Sequence, residues 1–243
     1  MHRPLNPDNT ILIACSMMED EIRRVLEEKQ LTCPVIWMER GYHSSPDKLR
    51  AVLREQISLA EQRLRGSGTP PRNEGQEPPA ILLAYGLCGN GTEGLQTQAS
   101  LLAMPRFDDC INTLLCCGRR TCRAMEKAGV YYLTRGWTLD TGALLQSRQK
   151  LLERFGEKKT ARIMDMMYDG YRKVAVIDDG CYDTAPVQQY AQECADLLHV
   201  DAETVPGGTY ILEKLLTGNW DNDILVKQPG HPVEQEDFFY EQI

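Results

Sequence analysis

Nine cysteines are the most reactive side chains of this chain, and three of them sit where a thiol does chemistry. Cys88 lies within Tyr85-Gly86-Leu87-Cys88-Gly89-Asn90-Gly91-Thr92-Glu93-Gly94, which holds four glycines in its last nine residues. Such a loop leaves the main chain exposed and able to adopt positive φ, so Cys88 reads as a functional thiol and not as core. Cys15 follows an apolar run and precedes a helix start, where main-chain donors and the helix dipole favour a thiolate. A small residue buried in a tight turn is the alternative reading of Cys15. Cys110 closes Pro105-Arg106-Phe107-Asp108-Asp109-Cys110 and occupies the same kind of position. Arg106, Asp108 and Asp109 beside it are candidate catalytic residues that would bind or polarise a small substrate, with Asp108 also a helix cap.

His43 is the best placed of four histidines, between a strand-like run and the helix start Ser45-Pro46-Asp47. Three thiolates and one imidazole make a tetrahedral zinc set, so Cys15, His43, Cys88 and Cys110 are the candidate metal ligands. Two thiolates and His would leave an open position for a thiol or water. Three thiolates alone would hold a cubane iron–sulfur cluster with one open iron. Cys181 ends Asp178-Asp179-Gly180-Cys181 and is a candidate to join them. Cys116 and Cys117 fit apolar helix positions and read as core, while Cys33, Cys122 and Cys194 read as structural. The spacings contain no C-x-x-C pair, which excludes a zinc ribbon. Gly89, Gly91 and Gly94 also spell G-x-G-x-x-G, with Asp108 or Asp109 at the distance of a ribose-binding acid. Gly86, Gly89, Asn90 and Gly91 are therefore candidates to cradle a cofactor phosphate. Three residues separate the strand from the motif, and a lone match of this kind carries little weight.

These residues need a scaffold. Strands are expected at Ile11–Ala14, Val35–Met38, Ala80–Tyr85, Leu101–Met104, Val130–Thr134, Val174–Ile177, a run ending at Thr204-Val205, and Ile224–Lys227. Helices are expected after Ser16, with Glu19 completing a capping box, and from Pro46 to about Arg65. Further helices are expected near Glu93–Ser100, from Asp109 to about Cys117, through Gly142–Tyr171, from Pro186 to Leu198, and over Thr209–Leu216. The alternation predicts an α/β fold with parallel sheet covered by helices, in about three βαβα units that a pseudo-threefold arrangement would relate. The units are 1–65, 80–140 and 173–243 of one compact protein, with connecting helices over 141–172. Residues 66–79, with four Pro and three Gly, read as a solvated insertion. Ligands of open parallel sheets bind outside the carboxyl ends of the strands, which is where the candidate residues fall. Trp137, after Arg135-Gly136, is expected to line the same cleft, and Met164, Met166 and Met167 to form a helix face.

Composition narrows the function. Acidic residues outnumber basic ones 35 to 27, for a net charge of −8, which disfavours nucleic acid and anionic membranes as partners. No apolar run reaches the roughly 18 residues of a membrane span, and the first residues lack a signal-peptide core. A cytoplasmic protein with reduced thiols is expected.

The runs ILIAC, H-x-x-P at His43 and Pro46, ILLAYGLCGNGTEGL, PRFDDCI, YYLTRGW and LLTGNWDNDILVKQPG together resemble the domain-of-unknown-function family numbered 1638 over nearly the whole chain. The resemblance implies anaerobic one-carbon metabolism beside corrinoid-dependent methyltransferases. It maps the family's Cys, His, Cys and Cys onto Cys15, His43, Cys88 and Cys110, and does not include Cys181. The insertion and the Cys116-Cys117 pair depart from the family pattern. The expectation is a zinc protein acting in, or accessory to, methyl transfer, with a small molecule or a corrinoid protein as partner. An iron–sulfur protein, a nucleotide- or corrinoid-binding module without catalysis, and an escort for a methyltransferase are the alternatives. Oligomeric state stays open.

Overall fold

In the computed structural model, residues 8–66, 78–118 and 128–239 are described, His43 by its main chain alone. Cys122 and most of the 66–79 insertion lie outside the described residues. The chain runs β1 (Thr10–Cys15), a 3-10 turn (Ser16–Met18), α1 (Glu19–Glu28), β2 (Val35–Met38), a 3-10 turn (Tyr42–Ser44) and α2 (Pro46–Gly66). It continues with β3 (Ala80–Ala84), β4 (Leu101–Pro105), α3 (Cys110–Leu115), β5 (Val130–Leu133), α4 (Arg135–Thr138), α5 (Leu144–Phe155) and α6 (Glu157–Met167). Last come β6 (Lys173–Asp178), α7 (Thr184–Leu198), β7 (Asp201–Pro206), α8 (Tyr210–Thr217) and β8 (Ile224–Lys227).

The class is α/β with parallel sheets under helices. The first sheet has the order β2-β1-β3-β4-β8, parallel except that β8 runs antiparallel to β4. The second, β5-β6-β7, is all parallel. The third unit of the sequence is thus shared, with β6 and β7 in the second sheet and β8 closing the edge of the first. The apolar runs TILIAC, AILLA and LLAMP are buried at every residue, as strands covered on both faces must be. On α2, Leu49, Leu53, Ile57, Ala60 and Leu64 repeat every three or four residues and are buried as one stripe. A separate core under the second sheet packs Leu133, Val174 and Val176 against Leu144, Met164 and Val187. The outer strand β7 is largely exposed and acidic, which protects an open sheet edge from further pairing.

Several local expectations are corrected. Residues 93–100 are turns and bends, not helix. Gly94 holds φ +73°, and the N–H groups of Gln98, Ala99 and Ser100 donate to the buried carboxylate of Glu61, so they are committed outside any helical ladder. Ser16 makes no capping bond; it opens the 3-10 turn, and α1 starts at Glu19. Asp109, not Asp108, caps α3, accepting from Asn112 N at 2.8 Å, and the helix ends at Leu115. Cys116, the C-cap of that helix, is core as expected, but Cys117 is exposed. The stretch 142–171 is two helices parted at Gly156 (φ +71°), and Met166 is 82% exposed, so the three methionines do not share a buried face.

The two sheets meet at their carboxyl ends. α4, which follows β5, packs on the 3-10 turn that follows β1, and a Cβ on Gly136 would lie 2.0 Å from the Met17 carbonyl oxygen. Only glycine allows that approach. An Arg135–Asp20 ion pair crosses the same junction. Gly208 N donates to Leu114 O at 2.8 Å, joining the end of β7 to α3.

Candidate functional site

Three strand ends deliver three thiols to one place. Cys15 is the last residue of β1. Beyond β3 the chain passes through Gly86, where a Cβ would meet Phe107 O at 2.4 Å and Asp109 N at 2.7 Å. That close passage lets Leu87 N donate to Phe107 O at 2.9 Å and Cys88 N to Asp108 O at 2.7 Å. The Cys88 loop is thereby bonded to the connection between β4 and α3, whose next residue but one is Cys110. Cys88, Gly89 and Asn90 hold φ of +49°, +61° and +68°. Left-handed backbone at a non-glycine residue is unfavourable and is retained here where it aims a thiol.

Cys15, Cys88, Cys110, Met17, Tyr85 and Trp137 are among the walls of a cavity of about 220 Å³. Burial pushes all three thiols up: Cys88 to about 12, Cys110 well above the usual thiol range, and Cys15 upward as well. Each of Cys88 and Cys110 is raised further by the charge Cys15 would carry. For Cys15 the Met17 N–H, the Tyr85 hydroxyl and the Arg40 guanidinium oppose the effect of burial. Tyr85 itself is pushed up, by burial first and then by Cys15. Its hydroxyl is buried and meets no partner of strict hydrogen-bond geometry among the described residues. The three sulfurs are therefore neutral at ordinary pH, in a pocket that a positive charge would convert to thiolates. Among the described residues, no three His, Cys, Asp or Glu side chains are grouped closely enough, as they stand, to hold a metal ion.

The other sequence candidates fall as follows. His43 has its main chain in the 3-10 turn before α2, and its side chain lies outside the described residues. Asp109 lines the cavity. Arg106 and Asp108 do not line it; Asp108 is exposed and accepts from Asn112 Nδ2 at 3.3 Å, and Arg106 N donates to Asp223 O at 2.8 Å. Gly89 lines the cavity, whereas Gly86 and Gly91 are needed by the protein itself. A Cβ on Gly91 would lie 2.6 Å from Leu49 Cδ2, and the Asn90 carbonyl accepts from Arg50 at 2.6 Å. No helix follows Gly94, so the G-x-G-x-x-G spelling lacks the helix N-terminus that binds phosphate. Cys181 is apart from the cavity, beside Asp179 and Glu21. Cys194 is buried in the second core.

Tyr85, Arg40 and Glu21 were not singled out by sequence. Tyr85 sits inside the glycine-rich loop and looks like the end of a strand. Glu21 carried a readable signal, since it falls with Met18, Ile22 and Val25 on the buried face of α1. Burial and the Asp179 carboxyl hold it well above the usual carboxylate range, and its charge would reach Cys110.

A family model described as "Protein of unknown function (DUF1638)" matches residues 37–216. His43, Cys88 and Cys110 lie inside the matched segment and Cys15 precedes it. No curated protein and no solved structure matches the chain. Among the described residues, no helix is long and apolar enough to cross a membrane.

Proposed function

The chain belongs to the DUF1638 family, and from that premise we propose that Cys15, Cys88 and Cys110 are the thiolates of a soft-metal site, with zinc as the metal and His43 as the fourth candidate ligand. The observation that carries this reading is the convergence of three thiols, from strand ends far apart in sequence, on one cavity. Burial alone does not account for it, because three neighbouring thiols that hold back one another's ionisation gain nothing until a cation draws off their protons. Zinc held by thiolates lowers the pKa of a bound thiol or water and presents it as a nucleophile. The chain's own residues would do the rest. The Tyr85 hydroxyl and the Met17 N–H favour charge on Cys15, and Met17, Met18, Ile111 and Trp137 keep the cavity apolar. Asp109 is the carboxylate on the cavity wall, able to hold a substrate donor.

Methyl transfer to or from a substrate heteroatom, in anaerobic one-carbon metabolism and with a corrinoid protein as partner, is the reaction this reading proposes. Its support is the family resemblance and the fit of thiolate-bound zinc to that chemistry. An iron–sulfur cluster on the same three thiols is the second reading, favoured by the three cysteines of the cavity wall.

The test is anaerobic purification without added metal, followed by elemental analysis and a visible spectrum. One zinc per chain in a colourless protein is expected, and Cys88→Ser and Cys110→Ser should each lose it. Iron with sulfide and a brown colour moves the thiols to a cluster. Folded wild-type protein that takes up neither metal overturns both readings.

A further inference from the structure

A second cavity, of about 240 Å³, adjoins the thiol cavity and shares with it Asp109, Ile111 and Trp137. Each is smaller than the roughly 300 Å³ at which small-molecule pockets begin, and together they pass it. The shared wall makes them two ends of one site. Their linings differ in kind. Thiols and methionines line the first, whereas Tyr131, Tyr132, Tyr171 and the common Trp137 line the second. Tyr131 and Tyr171 meet edge to face, with ring centres 5.8 Å apart, so these rings support one another's orientation. Among the described residues that line either cavity, Asp109 is the single charged side chain, and it stands where the two meet. Its Oδ1 accepts from Asn112 N, which fixes the carboxylate on the wall.

Ring faces are electronegative and attract cations, most strongly where water is excluded. A carboxylate beside four aromatic side chains adds to that preference. We infer that the aromatic cavity binds a small organic cation, an alkylated ammonium group in chemical class, and holds it with its far end toward the three thiols. This inference names the substrate class of the proposed thiol site and rests on that reading for the role of the thiol end.

The test is a titration of zinc-loaded protein with choline, followed by Trp fluorescence and by calorimetry. 3,3-Dimethylbutan-1-ol, which has the same shape without the charge, and 3,3-dimethylbutanoate are the controls. Choline should bind about tenfold or more tightly than the alcohol, and the anion should not bind. Tyr171→Leu should weaken choline about tenfold, while Tyr171→Phe, which keeps the ring, should bind as wild type and guards against misfolding. Equal binding of choline and the alcohol, tighter binding of the anion, or no choline binding by folded zinc-loaded protein overturns the inference. A protein that binds choline but no metal leaves this inference standing and overturns the metal reading alone.

Discussion

Cys88 N donates to Asp108 O at 2.7 Å, so a glycine-rich loop beyond one strand is bonded to the helix start beyond its neighbour. This bond brings the Cys88 and Cys110 thiols into one cavity although 21 residues lie between them. It forms only because Gly86 lets the two chains touch.

Gly86→Ala is therefore expected to spoil the site. Its Cβ would collide with main-chain atoms at 2.4 Å and 2.7 Å, which no rotamer can relieve. A destabilisation of about 1–3 kcal/mol is expected, read from urea unfolding. Metal content should fall with it. Gly156→Ala, at a glycine whose Cβ would meet nothing, should cost only the strain of its positive φ and leave metal content unchanged.

The thiols should be slow in the metal-free protein. With Cys88 pushed up to about 12, about one part in ten thousand is thiolate at pH 8. Alkylation mapped by mass spectrometry should modify the exposed Cys117 well before Cys15, Cys88 and Cys110. The sign for stability follows from the same shift. A folded pKa above the unfolded one stabilises the fold fully below about pH 8.5, and this contribution is lost as pH rises toward about 12. The metal-free protein should thus become less stable to urea between pH 8.5 and 11, with metal uptake releasing protons and tightening as pH rises. Alkylation of Cys88 as fast as Cys117 at pH 8 would contradict this.

Glu21 carries a related expectation with its own pH window. It is 1% exposed and lies beside Asp179, and burial raises its pKa well above the usual range. The raised value stabilises the fold below the unfolded carboxyl pKa near 4.3, and the contribution is lost as pH rises through the folded value. Glu21→Gln keeps the shape and removes the charge. It should be more stable than wild type above neutral pH by about 1–3 kcal/mol, and thermal unfolding at pH 5 and pH 9 should show a smaller difference for the variant. Equal pH dependence of the two proteins would refute it.

Glu61 offers a contrast, because this buried carboxylate is fully employed. It is 4% exposed and accepts from the N–H groups of Gln98, Ala99 and Ser100 at 2.8–3.1 Å. Glu61→Ala leaves those donors unpaired and should cost about 3–5 kcal/mol. Hydrogen exchange should show the amides of 98–100 losing protection, while β1 keeps its own.

Periodicity determined the α/β class, the strands Val35–Met38 and Ile224–Lys227, and a long helix opening at Pro46. These are decided by local patterns of apolar residues and by proline, which act over a few positions. The same local logic put Cys15, Cys88 and Cys110 in strand-to-helix connections; the structure has Cys15 as the last residue of β1 and Cys110 as the first of α3. It failed at 93–100, where Glu61, distant in sequence, claims the main-chain donors a helix would use. It also failed to find Tyr85, Arg40 and Glu21, whose importance is closeness to a thiol contributed by another segment. That the three thiols share one cavity, that Cys181 stands apart with Asp179, and that an aromatic cavity opens beside them were decided by tertiary structure alone. Strand order and the meeting of two sheets at their carboxyl ends are set by long-range packing, and no local spacing encodes which strand end faces which.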